Sequence, residues 1–127
     1  MGNMDAKEKY FEAFNVFRVT EEKARARTID ANKFQMVIID LEAAIPGLDG
    51  IMLGRALLLK ACCLHWLHLD KIRKYKTIFD ACTTPPDPLL KEGFSCALRG
   101  REILEKLRST VDLPWANDIV NKLKDYE

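Results

Sequence analysis

The stretch from Gly54 to Leu69 constrains the fold more than any other part of the chain, because a helix through it would be apolar on nearly every side. Only four polar residues interrupt it: Arg55, Lys60, His65 and His68. A helix that is apolar all round belongs inside a fold, with neighbours on several of its faces. The sequence therefore predicts that residues 54–69 form the central and most buried helix of the protein.

A second helix is predicted directly after this stretch. Asp70 is a good N-cap residue, and the residues that follow it place apolar side chains at helical spacing among lysines: Ile72, Tyr75, Ile78, Phe79 and Cys82. A proline-rich connector then ends the element, because proline cannot continue a helical hydrogen-bond ladder. We therefore expect a helical hairpin over residues 49–82, whose first helix is the central one.

The N-terminal third is predicted to form another hairpin, over residues 5–45. An aromatic stripe defines its first helix, over 5–18: Tyr10, Phe11, Phe14 and Phe17. Residues 18–31 are mostly charged and small, and they are interpreted as either an extension of that helix or a solvated connection. Asn32 can cap the second helix, which has a clear apolar face and ends at Pro46-Gly47.

Residues 88–126 are predicted to form a third hairpin, with Pro88 at the first helical position and Asp87 as its cap. Its long first helix contains Gly93 and Gly100, and each glycine costs about 1 kcal/mol relative to alanine in a helix interior. The usual reason to keep such glycines is the close approach of a neighbouring helix. Because no stretch reads as a convincing strand, we predict an all-α protein, a single domain over 1–127 built from three hairpins.

The hairpins overlay when the sequence is shifted by 38 residues, which indicates an internal repeat. In that shift Asn32 falls on Asp70, and Asp49 falls on Asp87 just after proline punctuation. The predicted caps, the small residues and the large residues of successive hairpins therefore fall at equivalent positions, although no single match is strong.

Small and aromatic residues stand three apart in the second hairpin, at Cys63 and Trp66 and again at Phe79 and Cys82. In this spacing the chain resembles the tetratricopeptide-repeat family, although Tyr75 stands where that family usually has a small residue. The resemblance implies a short right-handed superhelix of stacked hairpins, and a scaffold that binds a protein or peptide on its inner, first-helix face. A compact helical bundle is the alternative arrangement.

Alignment of the chain with the tetratricopeptide pattern implies that a set of first-helix residues faces the concave side and binds the partner: Lys60, Leu64, Leu67, His68, Leu98, Glu102 and Lys106. Lys60 and His68 are the most informative, because full burial of a polar group without a partner would cost several kcal/mol. One interpretation is that both side chains reach a groove or its rim. The other is that Lys60 extends along apolar surface to solvent while His68 bonds a nearby backbone carbonyl.

Cys62, His65 and His68 follow one another at intervals of three residues, and cysteine and histidine are zinc ligands. A fourth ligand would have to come from Cys82 or Cys96, and no paired Cys-x-x-Cys motif occurs. A metal- or thiol-dependent protein is therefore an alternative hypothesis, and packing in the core or at its rim is the favoured interpretation of these residues.

A basic run over 71–76 is the basis of a further alternative, a small helical regulator that contacts nucleic acid. Against it, the whole chain has a net charge of only +1, from 20 basic and 19 acidic residues. Such a balance gives no overall attraction to phosphate, and short basic runs usually form a solvated helix face.

No phosphate loop, dinucleotide fingerprint or nucleophile elbow occurs in the sequence, so we predict a non-catalytic interaction module without a cofactor. The start of the chain lacks the apolar core of a secretory signal, which favours a cytoplasmic protein with reduced cysteines. Charged residues and histidines interrupt the longest apolar stretch, so no membrane partner is expected. Self-association through an end face is a further expectation, because the predicted array has no evident polar cap.

Overall fold

The computed structural model describes residues 5–73 and 88–124, and within them every regular element is helical. The five α-helices are α1 (Ala6–Ala26), α2 (Ala31–Ala44), α3 (Gly50–Ile72), α4 (Pro88–Lys106) and α5 (Leu113–Lys124), with a short 3-10 turn at Ile45–Gly47. The predicted all-α class is confirmed for the described part of the chain.

Aspartate side chains start the first two helices. The Asp5 Oδ1 atom accepts a hydrogen bond of 2.8 Å from the backbone N–H of Glu8, and Asp30 Oδ1 accepts one of 3.1 Å from that of Lys33. The cap of α2 is therefore Asp30 and not the predicted Asn32, because only an N-cap carboxylate placed before the first turn can reach the free N–H three residues on. Residues 18–26 belong to α1, so the extension that the sequence left open is the observed outcome.

Asp70 lies inside α3 and does not cap a second helix, so this part of the prediction is wrong. The helical ladder continues past it, with the Arg73 N–H bonded to the Leu69 carbonyl oxygen at 3.1 Å. An aspartate in a helix interior has only a modest penalty, which packing on the rest of α3 overrides. The remainder of the predicted hairpin, including Phe79 and Cys82, lies outside the described residues.

α3 is the centre of the fold, as its sequence predicts. It has more buried residues than any other described helix, and they cover most of its circumference: Gly54, Ala56, Leu57, Leu58, Leu59, Ala61, Cys62, Cys63, Leu64, Leu67 and His68. The other four described helices all contact it. Burial on this scale is the main source of stability in a helical domain.

α1 and α3 run in the same direction, since contacts occur in the same order along both. Near the start of the two helices, Tyr10 of α1 is close enough to Arg55 of α3 for the guanidinium charge to affect the pKa of its hydroxyl. Near their ends, Glu21 of α1 accepts a 2.9 Å hydrogen bond from the indole N–H of Trp66 of α3. α2 returns between them after a short connection, so it runs the opposite way.

α3 and α4 make the closest helix contact, and glycines on both helices make it possible. A Cβ atom added to Gly100 would lie 2.9 Å from the carbonyl oxygen of Gly54, and one added to Gly54 would lie 2.8 Å from Leu104. Further along, Gly93 faces Leu64. These contacts run in opposite order along the two helices, so α4 is antiparallel to α3. The predicted close approach at Gly100 is confirmed.

A partly buried ion pair ties α3 to the connection between α4 and α5. The Nε of Arg55 lies 3.0 Å from both carboxylate oxygens of Asp112, and the Ser109 hydroxyl donates to Oδ2 at 2.5 Å. Tyr10 lies beside this pair, where burial, with a smaller contribution from the Asp112 charge, raises the pKa of its hydroxyl to about 12 against the opposing effect of Arg55. Side chains from three parts of the chain are thus held together at this end of the fold.

Gly100→Ala is expected to destabilise the protein by about 1–3 kcal/mol, because the added methyl group would press on the α3 backbone. Gly93→Ala is the matched control: its Cβ would lie 3.4 Å from its nearest neighbours, an ordinary contact. That variant should be neutral, or stabilised by up to about 1 kcal/mol through helix propensity. Urea unfolding followed by circular dichroism measures both, and equal stability of the two variants would contradict the close approach.

Asp112→Ala is expected to lower the free energy of unfolding by about 1–3 kcal/mol, since it leaves the guanidinium of Arg55 without its charged acceptor. The comparison variant is Asp118→Ala, which breaks an exposed pair with Lys122 of 3.0 Å within α5. Such exposed pairs contribute roughly 0.5 kcal/mol or less. Urea melts of both variants test this, and a loss at position 112 no larger than at 118 would contradict it.

Candidate functional site

An open groove runs along α3 between α1 and α5. Its main cavity has a volume of about 320 Å³, and an adjoining one of about 190 Å³ shares Glu21, Arg25, Cys62, Ile119 and Lys122 with it. α3 forms the floor, where the lining residues recur at helical spacing: Cys62, His65, Trp66 and Leu69. The two cavities therefore belong to one elongated surface, which we call the α1–α5 groove.

Each wall of the α1–α5 groove is one face of a helix. α1 contributes residues three or four apart over three turns: Phe14, Phe17, Arg18, Glu21 and Arg25. α5 contributes Trp115, Asp118, Ile119 and Lys122 at the same kind of spacing. Because residues three and four apart lie on one side of a helix, both walls present continuous stripes to the groove.

Burial is layered across the groove. Phe17, Cys62 and Ile119 are buried at the bottom, the rings of Phe14 and Trp115 are half-buried, and charged side chains lie exposed at the edge: Arg18, Arg25, Asp118 and Lys122. Apolar centres surrounded by polar rims are typical of protein–protein interfaces.

The chain's two tryptophans both line this groove. The Trp66 ring stacks on Phe34 of α2, with ring centroids 5.9 Å apart and planes at 6°, while its indole N–H is bonded to Glu21. The indole of Trp115 lies beside the thiol of Cys62. Stacking and the hydrogen bond to Glu21 hold the Trp66 ring in place, so a ligand would meet a pre-organised surface there.

The charges at the edge are unevenly satisfied. Glu21 bonds the indole of Trp66 and lies 3.4 Å from the guanidinium of Arg25, and Asp118 pairs with Lys122 at 3.0 Å. Both groove carboxylates are thus engaged within the chain, whereas Arg18 has no ion pair among the described residues. The groove can therefore still accept negative charge.

Titratable groups on the floor favour their neutral forms. Burial raises the pKa of the Cys62 thiol to about 12 and that of Cys63 well above its usual range. Burial and then the nearby Lys122 charge lower the pKa of His65. A protonated thiol is a poor nucleophile and a poor metal ligand, so burial leaves both cysteines in their less reactive form.

The weak metal candidates do not form a cluster. In the described part of the chain no group of three or more His, Cys, Asp or Glu side chains is placed to hold a metal ion. Cys62 and His65 lie on the floor of the α1–α5 groove, and His68 is buried at 7% exposure.

Several of the residues that the tetratricopeptide resemblance implies for the concave face lie against other helices in the structure. Leu64, Leu67 and His68 are only 3%, 5% and 7% exposed. The Lys60 ammonium lies 3.1 Å from Glu92 of α4 and 3.7 Å from Glu42 of α2. Lys60 projects about 200° away from Cys62 around α3, so the face chosen from the family phase is opposite to the open groove.

Lys60 is held between carboxylates instead of reaching an empty groove. Burial lowers the pKa of this ammonium, but the hydrogen bond that it donates to Glu92 and the negative charges beside it outweigh burial and leave the pKa raised. The Lys60 ammonium, whose position on an apolar helix suggested a binding face, is therefore paired with carboxylates of two neighbouring helices.

The predicted site residues on α4 lie apart from the groove. Leu98 is partly buried against the core. Glu102 and Lys106 form an exposed ion pair of 3.0 Å with each other, at 64% and 73% exposure. Such a pair on one helix is typical of a solvated surface.

The basic run over 71–76 is described only at its beginning. Lys71 and Arg73 are exposed at the end of α3, where a guanidinium nitrogen of Arg73 lies 3.5 Å from the carbonyl oxygen of Arg27. Lys74 and Lys76 lie outside the described residues.

Sequence reasoning missed the groove although it noticed many of its residues. It placed Phe14 and Phe17 in the aromatic stripe of the first helix, and it interpreted residues 18–31 as an extension of that helix or a solvated connection. The sequence feature that could have indicated the groove is the presence of aromatic and arginine side chains on one face of α1 over three turns. A helix face that only packs into a core carries apolar residues alone.

Comparison of the chain with protein-family models, curated proteins and solved structures finds no match. The tetratricopeptide resemblance therefore stays a prediction from residue spacing. By length and composition α3 is the one described helix that could cross a membrane, and 56% of its most apolar window is buried within the fold. The central helix of a folded core passes the same test, so this feature alone carries little weight.

Cys62 and Cys63 are expected to resist alkylation in the folded protein at about pH 8, because both thiols are buried and protonated. Iodoacetamide labelling followed by peptide mass spectrometry should find both modified only after unfolding in urea. Cys96, which is partly exposed, should be labelled faster and serves as the internal comparison. Rapid labelling of Cys62 in the native state would restore the thiol-dependent alternative.

Proposed function

We propose that this protein is a non-catalytic interaction module that holds an amphipathic helical segment of a partner protein in the α1–α5 groove. The observation that carries the proposal is the convergence of both tryptophans, two phenylalanines and two arginines on one open surface. Tryptophan and arginine dominate the binding energy of protein interfaces.

The shape of the groove supports a helical ligand. From Phe14 to Arg25 the α1 wall is about 16 Å long, which corresponds to roughly three helical turns. A helix lying along such a groove inserts side chains from positions i, i+3, i+4 and i+7 between the walls. An enclosed pocket for a small molecule would instead surround most of its ligand, and this groove is open along its side.

The charges of the groove favour a partner segment that carries carboxylates. Arg18, Arg25 and Lys122 line it against Glu21 and Asp118, and both of these acids are engaged within the chain. An acidic residue beside the apolar stripe of the partner would find Arg18 free to pair, whereas a basic partner would meet repulsion. Complementary charge of this kind provides specificity more than affinity.

We propose the compact helical bundle, the second arrangement that the sequence allows, as the frame of this site. A repeat of 38 residues would relate α3 to α4 by translation and make them parallel, whereas their glycine contacts run in opposite order. The groove depends only on α1, α3 and α5, so the proposed function does not need the stacked-repeat arrangement. Cytoplasmic location remains a prediction of the sequence.

Selection from a displayed library of random peptides, each about 15 residues long and free of tryptophan, tests the proposal. We expect the enriched peptides to combine apolar residues at helical spacing with acidic ones, and to shift the emission of Trp66 and Trp115. Arg18→Glu and Trp115→Ala should each weaken binding at least about tenfold.

Arg99→Glu is the matched control, since Arg99 is exposed on α4 and does not line the groove. Its affinity for the selected peptides should equal that of the unmodified protein, and circular dichroism should show every variant folded. Peptides that bind equally well to the Arg18→Glu and Trp115→Ala variants would overturn the assignment of the groove.

A further inference from the structure

The outer side of α2 carries an apolar stripe that the proposed groove does not use. Met36 is 59% exposed and Ile39 is 62% exposed, and both project away from the core that Phe34, Val37 and Leu41 enter. Asn32 and Ala43, also exposed, continue the same stripe by one turn in each direction. We call Asn32, Met36, Ile39 and Ala43 the α2 stripe.

Charges of opposite sign flank the α2 stripe on one side. Lys33 and Asp40 are seven residues apart, so they lie on the same flank two turns from each other. Both are exposed, and neither has an ion pair among the described residues. On the other flank lie Gln35 and Glu42, and Glu42 is 3.7 Å from Lys60.

We propose that the α2 stripe is the docking surface for a second copy of this chain, with the two α2 helices packed antiparallel about a two-fold axis. In such a contact residue i of one copy meets residue j of the other, and j meets i. Placing Met36 opposite Ile39 of the second copy brings Asn32 opposite Ala43. The same register brings Lys33 within reach of Asp40, and symmetry makes this pair occur twice.

Charge complementarity selects this occupant and this direction. Like flanks face each other in an antiparallel helix pair, so Lys33 meets Asp40 of the second copy. In a parallel pair opposite flanks would meet, which would place Asp40 beside Glu42 of the second copy and set like charges together. The α2 surface is thus complementary to itself in one orientation and repulsive in the other.

The size of the surface sets the expected strength of association. α2 has 14 residues, and one helix pair of about 21 Å buries less than the roughly 1,200 Å² of stable interfaces. The dimer should therefore be weak and reversible. Because the stripe faces away from the core and the groove lies between α1 and α5, association leaves the groove free, and this inference stands independently of the proposed function.

Sedimentation equilibrium of the full chain and four variants tests the inference. Lys33→Glu and Asp40→Lys should each weaken self-association about tenfold, because each turns two attractions into two repulsions. The double variant K33E/D40K should regain most of the lost affinity. An equimolar mixture of the two single variants should form a heterodimer more readily than either variant self-associates, since the mixture alone restores both opposite-charge pairs. Ile39→Glu should abolish association.

Lys91→Glu, an exposed change on α4, controls for the effect of net charge and should associate like the unmodified protein. Circular dichroism confirms that each variant is folded. A protein that stays monomeric up to its solubility limit overturns the inference. A dimer that persists in the Ile39→Glu variant also overturns it, because the end face or another surface would then form the contact. Failure of the double variant to restore the affinity lost in the single charge variants overturns it as well.

Discussion

The backbone contact between α3 and α4 at Gly54 and Gly100 is the constraint on which the rest of the structure depends. A Cβ atom at either position would collide with the opposite helix, so side chains larger than hydrogen at these two positions would push the helices apart. Leu58 and Leu104 fill the space beside the glycines, and Lys60 is drawn between carboxylates of α2 and α4. With that side of α3 closed, only its opposite face, where α1 and α5 stand apart, is left to form a groove.

The central position of α3 follows from its sequence, because a helix that is apolar all round is stable only when neighbours surround it. For the same reason the sequence of α3 does not show which of its sides remains accessible to solvent, since the helix has no polar face to mark that side. Alignment with the tetratricopeptide pattern predicted that the binding face of α3 contains Lys60 and His68. In the structure Lys60 forms ion pairs with Glu92 and Glu42, and no spacing within one segment indicates that pairing. Asp70 shows the same limit, because packing keeps α3 helical past a good N-cap residue.

The groove could be predicted only in part, because its existence depends on the distance between α1 and α5. The sequence does show that Phe14 and Trp115 lie on apolar helix faces, and the structure confirms that they contact the core. It cannot show that their outer edges remain half-exposed, since the same stripes would serve equally in two helices packed together. Arg18 and Arg25 share the α1 face with this aromatic stripe, and such long side chains can cover apolar surface while their charged heads reach water.

α2 connects the two proposed surfaces through its opposite sides. On its inner side Phe34 stacks on Trp66 and thereby supports the floor of the α1–α5 groove, while its outer side carries Met36 and Ile39. Docking of two α2 helices would therefore add support behind the groove floor in both copies. It would also join two grooves in one assembly, and a partner with two suitable segments would bind the second groove at the effective concentration set by its linker. A weak dimer is enough for this effect, because a bivalent partner stabilises the dimer that it binds.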